Sequence, residues 1–140
     1  MLIAQITDLH IRMPGQKAYR VVETDRYLPP AVDALNRLDP APTLAIVSGD
    51  LTDFGRPQEY AHLKHMLDGL RMPYFLMPGN HDAREELVAA FPDHAYLHGA
   101  DGFVLEEIER LDDEALAYVR DRVLKERLAH WCAVRNAEVI

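Results

Sequence analysis

Three short polar segments contain the residue types that bind divalent metal ions. They are Asp8-Leu9-His10, Gly49-Asp50-Leu51-Thr52-Asp53 and Gly79-Asn80-His81-Asp82. Each segment follows directly on an apolar run that is typical of a buried β-strand. Because parallel strands bring the residues after their carboxyl ends to one edge of a sheet, we expect the three segments to meet there. Carboxylate and amide oxygens together with imidazole nitrogens at that edge predict a metal site.

The elements that would position these segments alternate between strands and helices. Strands are predicted where hydrophobic residues are nearly continuous, at residues 2–7, 44–48 and 74–77. Helices are predicted where apolar residues recur at helical spacing, at residues 28–38, 57–70 and 83–91. This order predicts an α/β fold with two right-handed βαβ crossovers and a three-strand, mainly parallel sheet with flanking helices.

The chain changes character near Phe103. Residues 104–140 contain no glycine, no proline and no run that resembles a strand, and their apolar residues recur at helical spacing. We therefore predict one or two amphipathic helices there. The predicted organisation is a domain at residues 1–103 that carries the three polar segments, followed by a helical tail at residues 104–140.

Composition excludes several classes of function. The net charge of −8 over 140 residues argues against binding duplex nucleic acid through a basic face, and an acidic protein that binds phosphate needs metal ions to do so. Cys132 is the only cysteine, so no internal disulfide can form and a reducing compartment is expected. No secretory signal and no run long enough to span a bilayer are found, which predicts a cytoplasmic protein without a membrane partner.

Each polar segment also has an ordinary structural explanation. Asp8 and His10 are two residues apart, so in an extended segment their side chains point the same way, but such a pair is more often a cap and a solvated histidine. Asp50 could bridge two metals or cap the following segment. Asn80 could ligate a hard cation or form a polar turn, with His81 beside the metal. The three segments together, each after a strand, do not share one such explanation.

In combination, the three segments resemble those of the calcineurin-like metallophosphoesterases. The stretch Gly55-Arg56-Pro57-Gln58-Glu59-Tyr60 narrows the resemblance to the class III cyclic-nucleotide phosphodiesterases and the bacterial glycerophosphodiester phosphodiesterases of the same branch. The resemblance runs from Met1 to about Phe103. It implies the N-terminal half of the family's αββα sandwich and a hydrolase of the phosphodiesterase type.

The resemblance also implies the site residues, the cofactors and the substrates. Asp8 and His10 would hold a first metal, Asp50 would bridge both metals, and Asn80 would hold the second. His81 would be catalytic and act on the phosphate or the leaving group, while a metal-bridging hydroxide attacks phosphorus in line. The implied cofactors are two divalent ions of Fe, Mn, Co or Zn. The implied substrate is a phosphodiester such as a cyclic nucleotide or a glycerophosphodiester.

The chain departs from the family pattern after the third segment. The family continues with a Gly-His segment and a Gly-His-x-His segment, and this sequence contains neither. The first metal keeps three protein ligands, but the second keeps only Asp50 and Asn80, so the second site is predicted to be weak. His94 and His98, four residues apart, are the alternative donors within the chain. We therefore expect a truncated domain with an exposed sheet flank, which favours a homo-oligomer.

Two functions follow as hypotheses. The first is a metal-dependent phosphoesterase, with a second chain as the possible source of the missing histidines. The second is a catalytically inactive metallophosphoesterase remnant that acts as a weak metal-binding or oligomerising domain. A phosphatase with an aspartyl nucleophile is excluded, because that chemistry needs a second carboxylate where His10 stands.

Overall fold

The structure, a computed structural model, describes residues 2–98 and 138–139. Four strands are present: β1 (Leu2–Thr7), β2 (Leu44–Ser48), β3 (Tyr74–Leu76) and β4 (Glu138–Val139). Three α-helices lie between or after them, namely α1 (Leu28–Leu35), α2 (Pro57–Leu67) and α3 (Arg84–Ala90). Short 3-10 helices occur at Thr24–Arg26 and Ala95–His98.

The strands form one parallel sheet in the order β3-β2-β1-β4. Thr7 lies opposite Ser48, and Val47 lies opposite Leu76. The three polar segments that follow β1, β2 and β3 therefore leave the sheet at the same edge. The predicted α/β fold with a three-strand parallel sheet and flanking helices is confirmed. Strands β1 and β2 have the predicted bounds, whereas α1 and α2 each end three residues earlier than predicted.

The two-residue strand β4 corrects one part of the sequence analysis. Glu138 pairs with Leu2 and Val139 pairs with Ile3, parallel to β1. The prediction of helix is wrong at these two positions, because the open edge of β1 offers backbone hydrogen bonds that a local pattern does not reveal. The rest of the predicted helical tail, and the boundary near residue 103, lie outside the described residues.

The sheet is buried on both faces, as its continuous hydrophobic runs predicted. All five residues of β2 are buried. Ile46 belongs to the main core cluster with Leu63 of α2 and Leu87 of α3, whereas Ala45 belongs to a smaller cluster with Leu35 of α1. Because consecutive strand residues point to opposite faces, Ala45 and Ile46 mark the two covered sides. This packing leaves the carboxyl edge of the sheet as the place for a site.

None of the helices within the described ranges is long and apolar enough to cross a bilayer.

Candidate metal centre

Backbone hydrogen bonds join the segments after β1 and β2. The N–H of Asp8 donates to the carbonyl of Ser48 at 3.0 Å, and the N–H of His10 donates to the carbonyl of Asp50 at 2.9 Å. The pairing continues with Ile11, whose N–H donates to the carbonyl of Leu51 at 3.0 Å. The two polar segments therefore run side by side beyond the end of the sheet.

The segment that contains Asp8 and His10 is not extended, which corrects the sequence analysis. Both residues adopt the left-handed conformation, with φ of 54° and 43°. Non-glycine residues pay about 1–2 kcal/mol for this conformation, and here it is accompanied by the backbone hydrogen bonds to the β2 segment. The side chains nevertheless converge. Asp8, His10 and Asp50 each offer a ligand atom, and these three atoms all lie within 4.8 Å of one another.

Gly49 makes room for the carboxylate of Asp8. Its φ is +78°, and a Cβ at this position would lie 2.7 Å from Oδ1 of Asp8 and 2.9 Å from Oγ1 of Thr7. That threonine hydroxyl also donates a 2.6 Å hydrogen bond to Oδ2 of Asp8. A side chain at residue 49 would therefore push the Asp8 carboxylate out of the cluster.

Gly79 lets the third polar segment pack against Asp50. A Cβ on Gly79 would overlap the Asp50 carboxylate and would lie 2.7 Å from both the nitrogen of Asp50 and the carbonyl carbon of Gly49. Two residues later, the N–H of His81 donates to Oδ1 of Asp50 at 3.0 Å. Asn80 lies between these two contacts and its side chain is exposed. The structure thus places the backbone of Asn80 beside Asp50.

His81 is oriented by the backbone of the second polar segment. Its Nδ1–H donates to the carbonyl of Asp53 at 2.9 Å, which leaves Nε2 as the second ring nitrogen. This hydrogen bond is the main reason that the pKa of His81 is raised above its ordinary value; burial opposes it, and the nearby carboxylates, first Asp50, add to it. The His81 and His10 rings lie edge to face with centroids 5.0 Å apart. The two histidines therefore share one wall of the centre.

Asp53 lies beside His10 and is engaged by Arg12. His10, Asp53 and His81 form a second group of ligand atoms within 4.8 Å of one another. However, the Asp53 carboxylate is 5% exposed and lies 3.1 Å from Nη1 of Arg12, which compensates its charge. It also lies 3.4 Å from Nδ1 of His10, whose Nε2 is 3.6 Å from Oδ2 of Asp50. A carboxylate on the far ring nitrogen is the usual support of a metal-ligating histidine.

This donor set fits a divalent first-row metal ion. Asp8, His10 and Asp50 supply two carboxylates and an imidazole from one side, and Asp53 supports the imidazole from behind. Mixed oxygen and imidazole ligands of this kind suit Fe, Mn, Co and Zn alike. The cluster therefore identifies a candidate site but not one metal.

Asp82 is a structural residue to which the sequence analysis assigned no role. Its carboxylate accepts hydrogen bonds from the N–H groups of Leu51, Thr52 and Gly79 at 2.9–3.1 Å. It also accepts from the hydroxyls of Thr52 and Tyr60 at 3.1 and 2.9 Å. One carboxylate thus joins the second and third polar segments to α2. One sequence signal points to this structural role: Asp82 is an acidic residue at the end of a turn that begins with Pro78-Gly79.

Arg12 and Glu59 form a second support that the sequence analysis missed. Nε of Arg12 lies 3.0 Å from Oε1 of Glu59, whose side chain is 1% exposed. The other carboxylate oxygen of Glu59 accepts from the N–H groups of Phe54 and Arg56, at the start of α2. Arg12 therefore bridges Asp53 and Glu59 and stabilises the loop whose Asp53 carbonyl accepts the hydrogen bond from His81.

His94 does not supply a ligand to this centre. Its ring lies 5.1 Å from that of Tyr74, the first residue of β3, and so at the opposite end of the sheet. Its Nδ1 is 3.0 Å from the hydroxyl of Tyr96. The alternative of His94 and His98 as substitute donors is therefore wrong for His94. The side chain of His98 lies outside the described part of the chain.

Comparison with known proteins agrees with the motifs. The family model of calcineurin-like phosphoesterases matches residues 1–131. The probable glycerophosphodiester phosphodiesterase GpdQ of Arcobacter nitrofigilis is 36% identical over 94 residues, covering 67% of this chain and 34% of the relative. The glycerophosphodiester phosphodiesterase GpdQ of Enterobacter lignolyticus is 40% identical over 82 residues, which cover 59% of this chain and 30% of the relative.

A probable cyclic nucleotide phosphodiesterase of Rhodopseudomonas palustris is 38% identical over 104 residues, which cover 74% of this chain and 37% of the relative. The chain thus spans about a third of the length of these relatives. The family match covers nearly the whole chain and agrees with the resemblance that the polar segments carry. This chain belongs to the calcineurin-like phosphoesterase family.

Proposed function

We propose that this chain hydrolyses phosphodiesters with the help of divalent metal ions. The observation that carries the proposal is the convergence of Asp8, His10 and Asp50, whose ligand atoms lie within 4.8 Å of one another at the carboxyl edge of the sheet. Family membership supports the reaction class, and relatives named as phosphodiesterases support the type of bond.

In this proposal Asp8, His10 and Asp50 hold the first ion, and Asp50 is shared with a second ion that Asn80 also contacts. When bound, such ions lower the pKa of a coordinated water and neutralise charge on the phosphate. The second ion has two protein ligands from this chain and is bound weakly. We expect Mn, Co, Fe or Zn to be accepted, because the donor set is mixed.

His81 is the proposed catalytic residue. The hydrogen bond from Nδ1 to the Asp53 carbonyl leaves Nε2 to contact a phosphate oxygen or to protonate the leaving alcohol. A general acid of this kind typically contributes about 10²–10⁴-fold to the rate. The substrate class is a phosphodiester of a small alcohol or a nucleoside, because the relatives are named for glycerophosphodiesters and cyclic nucleotides.

We also propose that the chain associates with a second copy of itself. Its proposed location is the reducing environment of the cytoplasm. Separately, a different second chain could provide the histidines that the family pattern contains after the third segment and this sequence lacks. Strand β3 is at one edge of the described sheet, which leaves a backbone edge for contact. Light scattering on the metal-loaded chain measures the oligomeric state directly.

The test is hydrolysis of bis(p-nitrophenyl) phosphate by the full chain in millimolar Mn²⁺ or Co²⁺. We expect turnover that is lost in Asp50→Ala and reduced in His81→Gln, which removes the proposed contact with the phosphate oxygen; the leaving p-nitrophenolate itself needs no proton. Asp33→Asn is the matched control, because Asp33 is exposed on α1 and outside the metal centre. Its activity should equal that of the original chain.

Two results would contradict the proposal. One is the absence of turnover at millimolar metal, and the other is equal activity of the Asp50→Ala variant. Metal analysis then separates the alternatives. One ion per chain that Asp50→Ala abolishes, without turnover, favours the inactive remnant that binds metal or oligomerises.

A further inference from the structure

A cavity of about 790 Å³ opens beside His81 and Asp53. Four of the side chains that line it are cationic, namely Arg12, Lys17, Arg20 and Arg56. The whole chain has 15 lysines and arginines against 23 acidic residues, so four cations around one cavity run against its overall charge. The cavity beside the candidate metal centre is therefore richer in positive charge than the chain as a whole.

Three of these cations have no ion-pair partner within residues 2–98. Arg12 is engaged with Asp53 and Glu59. No ion pair involves Lys17, Arg20 or Arg56 among the residues that the structure describes. The guanidinium of Arg56 lies over the ring of Phe54, which is also in the cavity wall, at 5.1 Å. The cavity therefore presents a net positive surface on the side of His81.

Arg20 is held in a conformation that arginine rarely adopts. The chain makes a tight turn between Ala18 and Val22, in which the N–H of Ala18 donates to the carbonyl of Val22 at 2.8 Å. The two turn residues Tyr19 and Arg20 have φ of 49° and 63°. Turns with two left-handed residues favour Asn-Gly, because side chains are strained there. Backbone strain of this kind concentrates at functional sites, which makes these two side chains candidates for a functional role.

The turn is anchored on the metal centre through Tyr19. Its ring lies 4.9 Å from that of His10 and 6.2 Å from that of His81. Arg20 is the next residue, and its side chain lines the same cavity. The strained turn thus places the Arg20 side chain in the wall of the cavity that His81 also lines.

We propose that Arg20, together with Lys17 and Arg56, binds a second anionic group of the substrate. The substrate class is then a phosphodiester whose alcohol also carries a phosphate monoester. Three positive charges match a dianionic phosphate better than a carboxylate, and the planar guanidinium of arginine binds two phosphate oxygens at once. This inference rests on the proposed function, since the metal centre binds the diester group itself.

The test uses two substrates that differ only in the second anionic group. They are thymidine 5′-(p-nitrophenyl phosphate) and the same ester with an additional 3′-phosphate, both of which release p-nitrophenolate. With Mn²⁺ we expect kcat/KM to be about tenfold higher for the 3′-phosphorylated ester, mainly through a lower KM, as for one charge-assisted contact. In Arg20→Gln this ratio should fall to about one, and in Arg20→Lys it should be intermediate.

The matched control is Arg71→Gln. Arg71 is exposed and precedes β3, so it lies at the opposite end of the sheet from the cavity. This variant should keep the tenfold ratio. A ratio near one in the original chain, or an unchanged ratio in Arg20→Gln, would overturn the proposal.

A binding experiment separates failure of this proposal from failure of the proposed function. Calorimetry of the Mn²⁺-loaded chain compares thymidine 3′,5′-bisphosphate with thymidine 5′-phosphate. We expect about tenfold tighter binding of the bisphosphate, lost in Arg20→Gln and weakened by added salt. If no diester is hydrolysed but this preference is present, the proposed function fails and the anion site remains. If diesters are hydrolysed without any preference, the anion site fails alone.

Discussion

The backbone N–H of His81 donates a 3.0 Å hydrogen bond to Oδ1 of Asp50. The link joins the polar segment after β3 to the one after β2, and it occupies one carboxylate oxygen of a residue that we place at the centre of the metal site. Because a backbone group makes the bond, its geometry depends on how closely the two segments pack. That packing depends in turn on Gly79, which touches the Asp50 backbone.

Gly79→Ala should therefore destabilise the fold and disturb the metal centre. The added Cβ would lie 2.7 Å from two backbone atoms, in Gly49 and Asp50, that cannot rotate away. We expect a loss of about 1–3 kcal/mol in the free energy of unfolding, as for other overpacked sites, together with weaker metal binding. Urea denaturation and metal titration measure the two effects.

Gly15→Ala is the control for this change. Gly15 also has a positive φ, of 76°, but nothing lies within 4 Å of its Cβ position. It should lose about 1 kcal/mol of stability through backbone strain alone and bind metal normally. Equal metal affinity in both variants would show that the contact between Gly79 and Asp50 does not position the carboxylate.

Asp82→Asn should cost about 3 kcal/mol of stability. The carboxylate accepts from five donors on Leu51, Thr52, Tyr60 and Gly79, and an amide would replace one acceptor oxygen with an NH₂ group that faces other donors. Asp33→Asn, at an exposed position of α1, should change stability by less than about 0.5 kcal/mol. Chemical denaturation of both variants checks the difference.

A double-mutant cycle with Tyr60→Phe tests whether these contacts form one network. The Tyr60 hydroxyl donates to Asp82 at 2.9 Å and accepts from the N–H of Ala83 at 2.8 Å. Residues that share a network are coupled, so we expect the double variant to lose about 1 kcal/mol less than the sum of the single losses. Strict additivity would mean that the two side chains stabilise the loop independently.

The strained turn predicts a trade-off between stability and substrate preference. Replacing Tyr19-Arg20 with Asn-Gly places preferred residues at two left-handed positions and should raise the free energy of unfolding by about 1 kcal/mol. The same variant should lose the preference for a 3′-phosphorylated ester. A variant that is less stable than the original chain would show that the turn is not strained in the way its φ angles indicate.

The sheet could be predicted from sequence because its signal is local. Strands β1 and β2 come from nearly continuous apolar runs, and the parallel arrangement then follows from the alternation with helices. The convergence of Asp8 and Asp50 at one edge follows from the same arrangement, since both residues come after strands of one parallel sheet.

The remaining features depend on pairing between distant parts of the chain. The left-handed backbone of Asp8 and His10 accompanies hydrogen bonds to the segment after β2, which no local pattern encodes. Asp82 bonds to Leu51, which is 31 residues away. Likewise, Glu138–Val139 becomes a strand only because the edge of β1 is open. Local periodicity cannot report contacts of this kind.

The proposed role of Asp50 in metal binding predicts a change of sign in one stability measurement. Without metal, the carboxylates of Asp8 and Asp50 have oxygens within 4.8 Å of each other and repel, and Asp50→Asn keeps an oxygen that accepts from His81. The metal-free variant should therefore be as stable as the original chain or more stable. With Mn²⁺ at about 100 times its dissociation constant, the original chain should gain about 2.7 kcal/mol and the variant much less. Thermal denaturation with and without Mn²⁺, with EDTA as reference, measures both. A variant that is less stable than the original chain in EDTA, or that gains as much from Mn²⁺, would contradict the assignment of Asp50 as a metal ligand.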